Sequence, residues 1–152
     1  MPRTRLLRDT EYAHLLAFRV RLREFLFWSA EQAASVDLTP TQHQLLLAIR
    51  GHPDERGPSV GEVSDYLLTR HHSAGQLIAR AAHLGLVTRV RDDSDDRRVV
   101  RLKLTELGEE KLDQLTTAHL EELREVVPLL ASAMEAPVNA ARRAGPSSTP
   151  RP

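Results

Sequence analysis

The chain has 152 residues, of which 41% are hydrophobic and 28% charged, and this length and composition fit one globular domain with an extension. Its 21 basic and 21 acidic residues cancel, which argues against a general polyanion binder, and the absence of cysteine excludes disulfides, thiolate zinc sites and thiol redox sensing. No apolar run reaches the roughly 20 residues of a membrane helix, and acids and histidine interrupt the stretch where a signal peptide would be apolar, so we expect a cytoplasmic protein without a membrane partner.

A long first helix is predicted for residues 10–34, where apolar side chains recur at helical spacing. Further apolar residues, among them Val20 and Phe27, make this helix apolar on more than one side. A helix of this kind needs a second partner, which is either the domain core or another subunit.

Two capping boxes predict where the next two helices begin. Thr39 is the expected N-cap of the first, with Pro40 in the first helical position and Gln42 three residues after the cap. Ser59 and Glu62 repeat the pattern for the second. Both helices are therefore expected to start at sharply defined positions.

A helix-turn-helix is predicted next along the chain. A helix over residues 59–68 is followed by a tight turn near Thr69 and by a helix over about residues 71–84. One face of the later helix is apolar, the other is polar, and Gly85 is expected to end it. The apolar face consists of Ala74, Leu77, Ile78, Ala81 and Leu84.

Two short strands follow, because the hydrophobic period changes from about 3.6 to about 2. Residues Val87–Arg91 and Val99–Leu104 are the expected strands, joined by the polar turn DDSDD. In the second strand Leu102 is expected to face the core, while Arg101 and Lys103 face solvent. A helix-turn-helix followed directly by a hairpin predicts a winged helix-turn-helix lobe.

The C-terminal part is expected to be helical and then disordered. Thr105 is the predicted N-cap of a long helix, and Pro128 is expected to break or kink it. From residue 137 the composition is rich in Ala, Arg, Pro and Ser, which predicts a disordered tail.

The aspartates of the hairpin turn match neither a calcium loop nor a catalytic carboxylate pair. An EF-hand loop begun at Asp92 would need glycine and glutamate where Arg97 and Lys103 stand. Carboxylates in an exposed turn also lack the burial that tunes a catalytic pKa. We therefore expect no enzymatic activity and no cofactor.

The seven histidines leave one alternative open, which is a metal-responsive regulator, or a helical enzyme or metal-dependent binding module that uses the histidines. Its ligands would include His14, His43 or His119. The main prediction contains no metal site.

The distribution of charge favours nucleic-acid recognition. Residues 69–103 carry eight bases and four aspartates, 8 − 4 = +4, whereas residues 104–136 carry two bases and eight acids, 2 − 8 = −6. This segregation predicts one surface suited to an anionic partner.

Particular residues fit contacts with duplex DNA. From the second helix of the helix-turn-helix, Gln76 is expected to read adenine, and Ser73 to contact a base or a phosphate. Arg97 and Arg98, at the end of the hairpin turn, can reach the backbone or a narrow minor groove. Asp95 or Asp96 is expected to pair with an arginine and to fix the geometry of the turn.

Two segments resemble the multiple antibiotic resistance regulator (MarR) family. The segment GLVTRVRDDSDDRRVVRLKLTELG is similar to the family's wing and following helix, and LLTRHHSAGQLIARAAHLGLV resembles the recognition helix of a subset that carries RHHS. The motifs cover about residues 38–110. The wing is about one residue longer than the commonest pattern.

The resemblance implies a homodimer formed by the N- and C-terminal helices. It assigns Arg98 as the wing arginine with Asp96 as its salt-bridge partner, and it implies a small aromatic or anionic effector in a crevice where Trp28 and His43 are candidate contacts. The residues that it places at the start of the recognition helix are Arg70, His71, His72, Ser73 and Gln76.

The sequence thus predicts a mainly α protein with a small β-hairpin wing. Its expected parts are an N-terminal dimerisation helix (1–37), a DNA-binding lobe (38–105), C-terminal dimerisation helices (106–136) and a disordered tail (137–152). The predicted function is a transcriptional repressor that binds a pseudo-palindromic operator in double-stranded DNA and is released by a small ligand. A winged lobe that has lost DNA binding and serves as a protein contact is a further alternative.

Overall fold

A computed structural model describes residues 8–92 and 99–135, which form five helices and one two-stranded antiparallel sheet. The elements in chain order are α1 (Asp9–Ser35), α2 (Pro40–Arg50), α3 (Val60–Tyr66), α4 (His71–His83), β1 (Val87–Asp92), β2 (Val99–Leu104) and α5 (Glu106–Glu135). The predicted mainly α fold with a hairpin wing is confirmed. The predictions for Asp95, Asp96, Arg97, Arg98 and the tail fall outside the described residues.

The chain divides into two compact units. One comprises residues 28–120 and holds α2, α3, α4 and the hairpin, while the other comprises the part before residue 28 and the part after residue 120. The boundaries of the four parts predicted from the sequence stay a prediction.

Both predicted capping boxes are present. The hydroxyl oxygen of Thr39 accepts from the backbone N–H of Gln42 at 3.1 Å, and the Gln42 side-chain oxygen accepts from the Thr39 N–H at 2.9 Å. Ser59 and Glu62 make the same two bonds, at 3.2 and 2.7 Å. Since each box satisfies two backbone donors that the helix itself cannot, the starts of α2 and α3 are fixed locally.

The core of the larger unit is formed by one apolar face of each element. Leu45 and Leu46 of α2, Ile78 of α4 and Leu102 of β2 are fully buried. The apolar face predicted for the helix after Thr69 is buried at Ala74, Leu77, Ile78 and Ala81, whereas Leu84, just beyond the end of α4, is exposed. This packing holds α4 against α3 and β1 and turns its polar face outward.

The segment before α3 runs along the edge of the hairpin. The N–H of Leu102 donates to the carbonyl oxygen of Pro58 at 2.9 Å, so β2 is bonded to this segment as well as to β1. Gly57 has φ +88°, and a Cβ there would overlap the carbonyl group of Leu102. Only glycine therefore allows the segment to approach β2 this closely.

Two local predictions were wrong. Helix α5 continues through Pro128, so the predicted break is wrong, whereas a kink there stays a prediction. A proline removes one backbone hydrogen bond, and the surrounding turns remain bonded. The side chain of Arg101 does not face solvent but is only 15% exposed. It does alternate with Leu102 as expected, but the loop before α3 covers the face of the hairpin on which it lies.

The terminal unit leaves apolar side chains uncovered in the single chain. On α1 the exposed residues include Leu15, Leu16, Val20, Leu26 and Phe27, and on the last turns of α5 they include Val127, Leu129 and Met134. This agrees with the sequence-based inference that the first helix is apolar on more than one side. Among the residues that the structure describes, no helix has the length and apolar character of a membrane span.

Candidate nucleic-acid interface

The polar face of α4 carries the residues predicted to recognise DNA. His71, His72, Ser73 and Gln76 are all exposed, while Ala74 between them is fully buried. Because α4 is amphipathic, its first turn has a buried apolar face that packs on the core and an exposed polar face. Arg70 occupies the N-cap position without a side-chain capping bond, and its side chain is also exposed.

The turn before α4 is short and held by the backbone. The N–H of Thr69 donates to the carbonyl oxygen of Ser64 at 3.0 Å, which closes the C-terminus of α3. Leu68, between them, adopts a left-handed conformation with φ 50°. The two helices are in contact across this turn, so α3 supports the first turn of α4.

A network of ion pairs fixes the base of the hairpin. Arg101 of β2 lies 3.5 Å from Asp92 of β1 (Nε to Oδ2) and 3.4 Å from Glu62 of α3 (Nη1 to Oε2). Asp92, whose side chain is 12% exposed, also accepts from Arg56 at 3.0 Å. Arg56 in turn pairs with Asp54 at 2.6 Å. The network therefore joins α3, the loop before it and both strands of the wing.

The electrostatics of this network favour the charged forms of its carboxylates. Hydrogen bonds from the guanidinium and backbone of Arg56 hold the pKa of Asp54 far below its ordinary value. The backbone N–H of Ser59 lowers the pKa of Glu62, and the charges of His52 and Arg101 act in the same direction. Near neutral pH Asp54 and Glu62 are thus ionised.

Asp92 was not predicted to hold an arginine at the base of the wing. The sequence suggested Asp95 or Asp96 for a pairing at its tip. The strand register determines which aspartate lies near Arg101. Asp92 is opposite Val99, and Arg101 is opposite Val90. Asp92 and Arg101 are therefore diagonal neighbours on one face of the hairpin. The pairing of Asp92 with Arg101 can be predicted from the sequence only when the register of the two strands is known. The length of the connecting segment does not determine that register.

The two effector candidates from the sequence lie in one aromatic cluster with His119. Its ring centroid is 4.8 Å from that of Trp28 and 4.7 Å from that of His43. The Leu115 carbonyl can only accept, so Nδ1 of His119 donates to it at 2.8 Å and, in the neutral ring, Nε2 accepts from the Ser29 hydroxyl at 2.6 Å. Burial and the nearby His119 lower the pKa of His43.

A metal ion would have to be bound by several of the described side chains together. Within residues 8–92 and 99–135, no group of three or more histidine, aspartate or glutamate side chains is arranged to hold one. The rings of His43 and His119 are close together, with centroids 4.7 Å apart. The metal-dependent alternative therefore gains no support from the described part of the chain.

A capped α3, a tight turn, an amphipathic α4 and an antiparallel hairpin define a winged helix-turn-helix protein. Residues 36–98 match a family model described as the MarR family. The matched segment, which includes α2, α3, α4 and β1, is therefore similar to MarR family proteins. No match was found among curated proteins.

Solved structures share this fold. A MarR family protein from Bacillus stearothermophilus is 25% identical, with a TM-score of 0.67 and coverage of 80% of this chain and 82% of that one. AbsC, a MarR family transcriptional regulator from Streptomyces coelicolor, is 22% identical with a TM-score of 0.69, and the match covers 92% and 90% of the two chains. A MepR mutant from S. aureus bound to an oligodeoxyribonucleotide is 18% identical with a TM-score of 0.60. The match covers 87% of this chain and 88% of that one.

Proposed function

We propose that the protein is a homodimeric repressor that binds a pseudo-palindromic DNA operator through α4 and the wing, and that a small molecule releases it. The observation that carries this proposal is the exposed polar face at the start of α4. A neighbouring fold, that of the MepR mutant, was solved bound to an oligodeoxyribonucleotide, which supports duplex DNA as the partner.

Residues at the start of α4 are suited to reading bases. A recognition helix contacts base edges in the major groove with its N-terminal residues. Gln76 can pair with adenine through two hydrogen bonds, while Ser73 and Arg70 can bind a base or a phosphate. All three side chains are exposed, and the buried residues of α4 hold the helix in place beneath them.

The wing is proposed to bind the DNA backbone beside the recognition helix. Arg89 and Arg91 of β1 are exposed, and the ion pairs around Arg101 fix the orientation of both strands against α3. Arg98, which the resemblance assigns as the wing arginine, would contact a phosphate or the minor groove, with Asp96 as its partner. Phosphate contacts of this kind make the affinity fall steeply as salt rises.

Dimerisation would cover the apolar residues that a single chain leaves exposed on α1 and α5. Among them Leu16 and Phe27 are more than half exposed. Apolar surface of this extent is typical of an interface between subunits. A two-fold dimer would present two copies of α4, about one helical turn of DNA apart.

The effector is proposed to bind near the cluster of Trp28, His43 and His119. Aromatic rings next to hydrogen-bonding groups suit a small aromatic or anionic molecule. Such a ligand would release DNA only if it binds more tightly to a dimer whose α4 helices no longer fit the operator.

Selection from a random duplex library with the full-length chain tests the proposed function. We expect enrichment of sequences with two-fold symmetry, bound with an affinity that falls linearly with the logarithm of salt concentration. If no duplex is enriched, the proposal of sequence-specific DNA binding is wrong. Repression is tested separately, by placing the enriched duplex at a promoter and measuring transcription with and without the protein.

A further inference from the structure

The turn between α3 and α4 holds a leucine in a backbone conformation that leucine disfavours. Four described residues have a positive φ: Gly57, Gly85, Asp37 and Leu68. Glycine has no Cβ, and aspartate tolerates the left-handed region better than most residues, so the first three are ordinary choices. In Leu68 the Cβ is crowded against the backbone, and the position would be less strained with glycine.

Packing within the single chain does not explain this leucine. Leu68 is 95% exposed, more than any other large apolar residue among those described. The turn itself is closed by backbone bonds, from the N–H of Leu68 to the oxygen of Asp65 and from the N–H of Thr69 to the oxygen of Ser64. These bonds need no side chain at position 68, so no packing that the structure describes accounts for the leucine.

We propose that Leu68 contacts the methyl group of a thymine in the major groove of the operator. This inference rests on the proposed function. Leu68 is two residues before Arg70, so its Cα lies at most about 8 Å from the N-cap of α4. When the start of α4 enters the groove, the turn comes with it. The thymine methyl is the apolar group that the major groove displays.

A protein partner fits this position less well. Docking to a protein needs an apolar patch of several residues. Leu68 is followed by the polar, exposed residues Thr69, Arg70 and His71. Tyr66, two residues before it, is half exposed, and its hydroxyl is hydrogen-bonded to His52. An aliphatic side chain beside such polar groups matches a thymine methyl group flanked by phosphates.

Substitution of deoxyuridine for each thymine in turn, within a duplex enriched by the wild-type chain, tests the contact. Uracil lacks only the methyl group, so the wild-type protein should lose about 4-fold in affinity per half-site at one position. Leu68→Ala should weaken binding to the thymine duplex by a similar factor. The same variant should be indifferent to uracil at that position, because the contact has already been removed.

Stability measurements separate a lost contact from a damaged turn. Leu68→Gly relieves the strain, so its thermal midpoint should stay level or rise while its affinity for DNA falls. Asp37→Gly, at the other non-glycine residue with positive φ, is the matched control and should leave DNA affinity unchanged. A turn that merely needs leucine to fold would show stability and affinity falling together, which would overturn the inference.

The remaining outcomes are distinct. If no duplex is enriched, the proposed function fails, and this contact fails with it. If a duplex is enriched but Leu68→Ala binds it as tightly as wild type, or no thymine is sensitive to uracil, the thymine contact is wrong and the proposed function stands. A loss of self-association in Leu68→Ala, measured by light scattering, would assign Leu68 to a protein interface and overturn the inference as well.

Discussion

Gln76 is the proposed DNA-contacting residue whose loss should change base specificity most directly. Gln76→Ala should relax discrimination at one base position by about 1–3 kcal/mol, because two hydrogen bonds to adenine are lost. Fluorescence anisotropy on operator duplexes with each base pair replaced in turn measures the effect. Gln44→Ala is the matched control, since Gln44 is also an exposed glutamine, but on α2. Equal base preferences in both variants would remove Gln76 from the site.

At the same scale, His43 should make stability depend on pH. Burial and His119 lower the pKa of His43 from its ordinary value near 6.5, so the folded state favours the neutral ring. The unfolded chain then binds the proton more readily. The stabilisation is present above about pH 6.5 and is lost as the pH falls below this value. The free energy of unfolding should then fall by up to about 1.4 kcal/mol per pH unit.

Denaturant unfolding between pH 7 and pH 5 checks this prediction. His43→Gln should flatten the decline, and His119→Gln should reduce it, because the second substitution removes the repulsion but leaves the burial. A wild-type free energy of unfolding that stays constant over this range would show that His43 does not carry the effect.

At the scale of elements, two glycines with the same backbone conformation should respond differently to a methyl group. Gly57 and Gly85 have φ of +88° and +73°, but only at Gly57 would a Cβ overlap the backbone, at Leu102. Gly85→Ala should lower the free energy of unfolding by about 1–2 kcal/mol, because alanine is strained in the left-handed conformation. Gly57→Ala should cost clearly more and should loosen the segment from β2. Equal losses would mean that the approach to β2 is not tight.

The hairpin base offers a second test of the elements. Asp92→Asn and Arg101→Met each remove one side of a mostly buried pair, and each should destabilise the chain by about 1–3 kcal/mol. Because the two residues share the interaction, the double variant should lose less than the sum of the single losses. Urea denaturation gives the three values. Strict additivity would mean that the pair does not act as a unit.

Local signals determined how much of the fold was predictable. The capping boxes at Thr39 and Ser59 and the buried face of α4 are encoded within a few residues, and these predictions are confirmed except at Leu84. The orientation of Arg101 and the role of Asp92 depend on the strand register and on the loop that covers the hairpin. Those are long-range contacts, and alternation along a single strand cannot reveal them.

Some residues of the proposed site could likewise be predicted from local sequence patterns, and others could not. The exposed start of α4 follows from helix periodicity, so Ser73 and Gln76 could be found from the sequence. Leu68 could not, because the sequence does not reveal that this leucine has a positive φ and is left uncovered. The proximity of His43 and His119, 76 positions apart in the chain, was likewise hidden until the helices were packed.

At the scale of the whole molecule, the account requires two copies of the chain. Phe27→Glu places a charge on the exposed apolar surface of α1, and it should shift the protein from dimer to monomer in light scattering. DNA affinity should fall with it, since one lobe alone makes half the contacts. Leu47→Glu introduces the same charge at an exposed leucine of α2 and should preserve the dimer. A monomeric wild type would contradict the proposed assembly.

The spacing of the two half-sites tests the central claim most directly. An affinity series on the enriched duplex, with 1 to about 10 base pairs inserted at its centre, measures how strictly the two α4 helices are held about one helical turn apart. We predict that an insertion of about 5 base pairs, which turns one half-site to the opposite face of the duplex, reduces binding to the level of a single half-site. Affinity that is independent of the insertion would show that a rigid two-fold dimer does not read the operator.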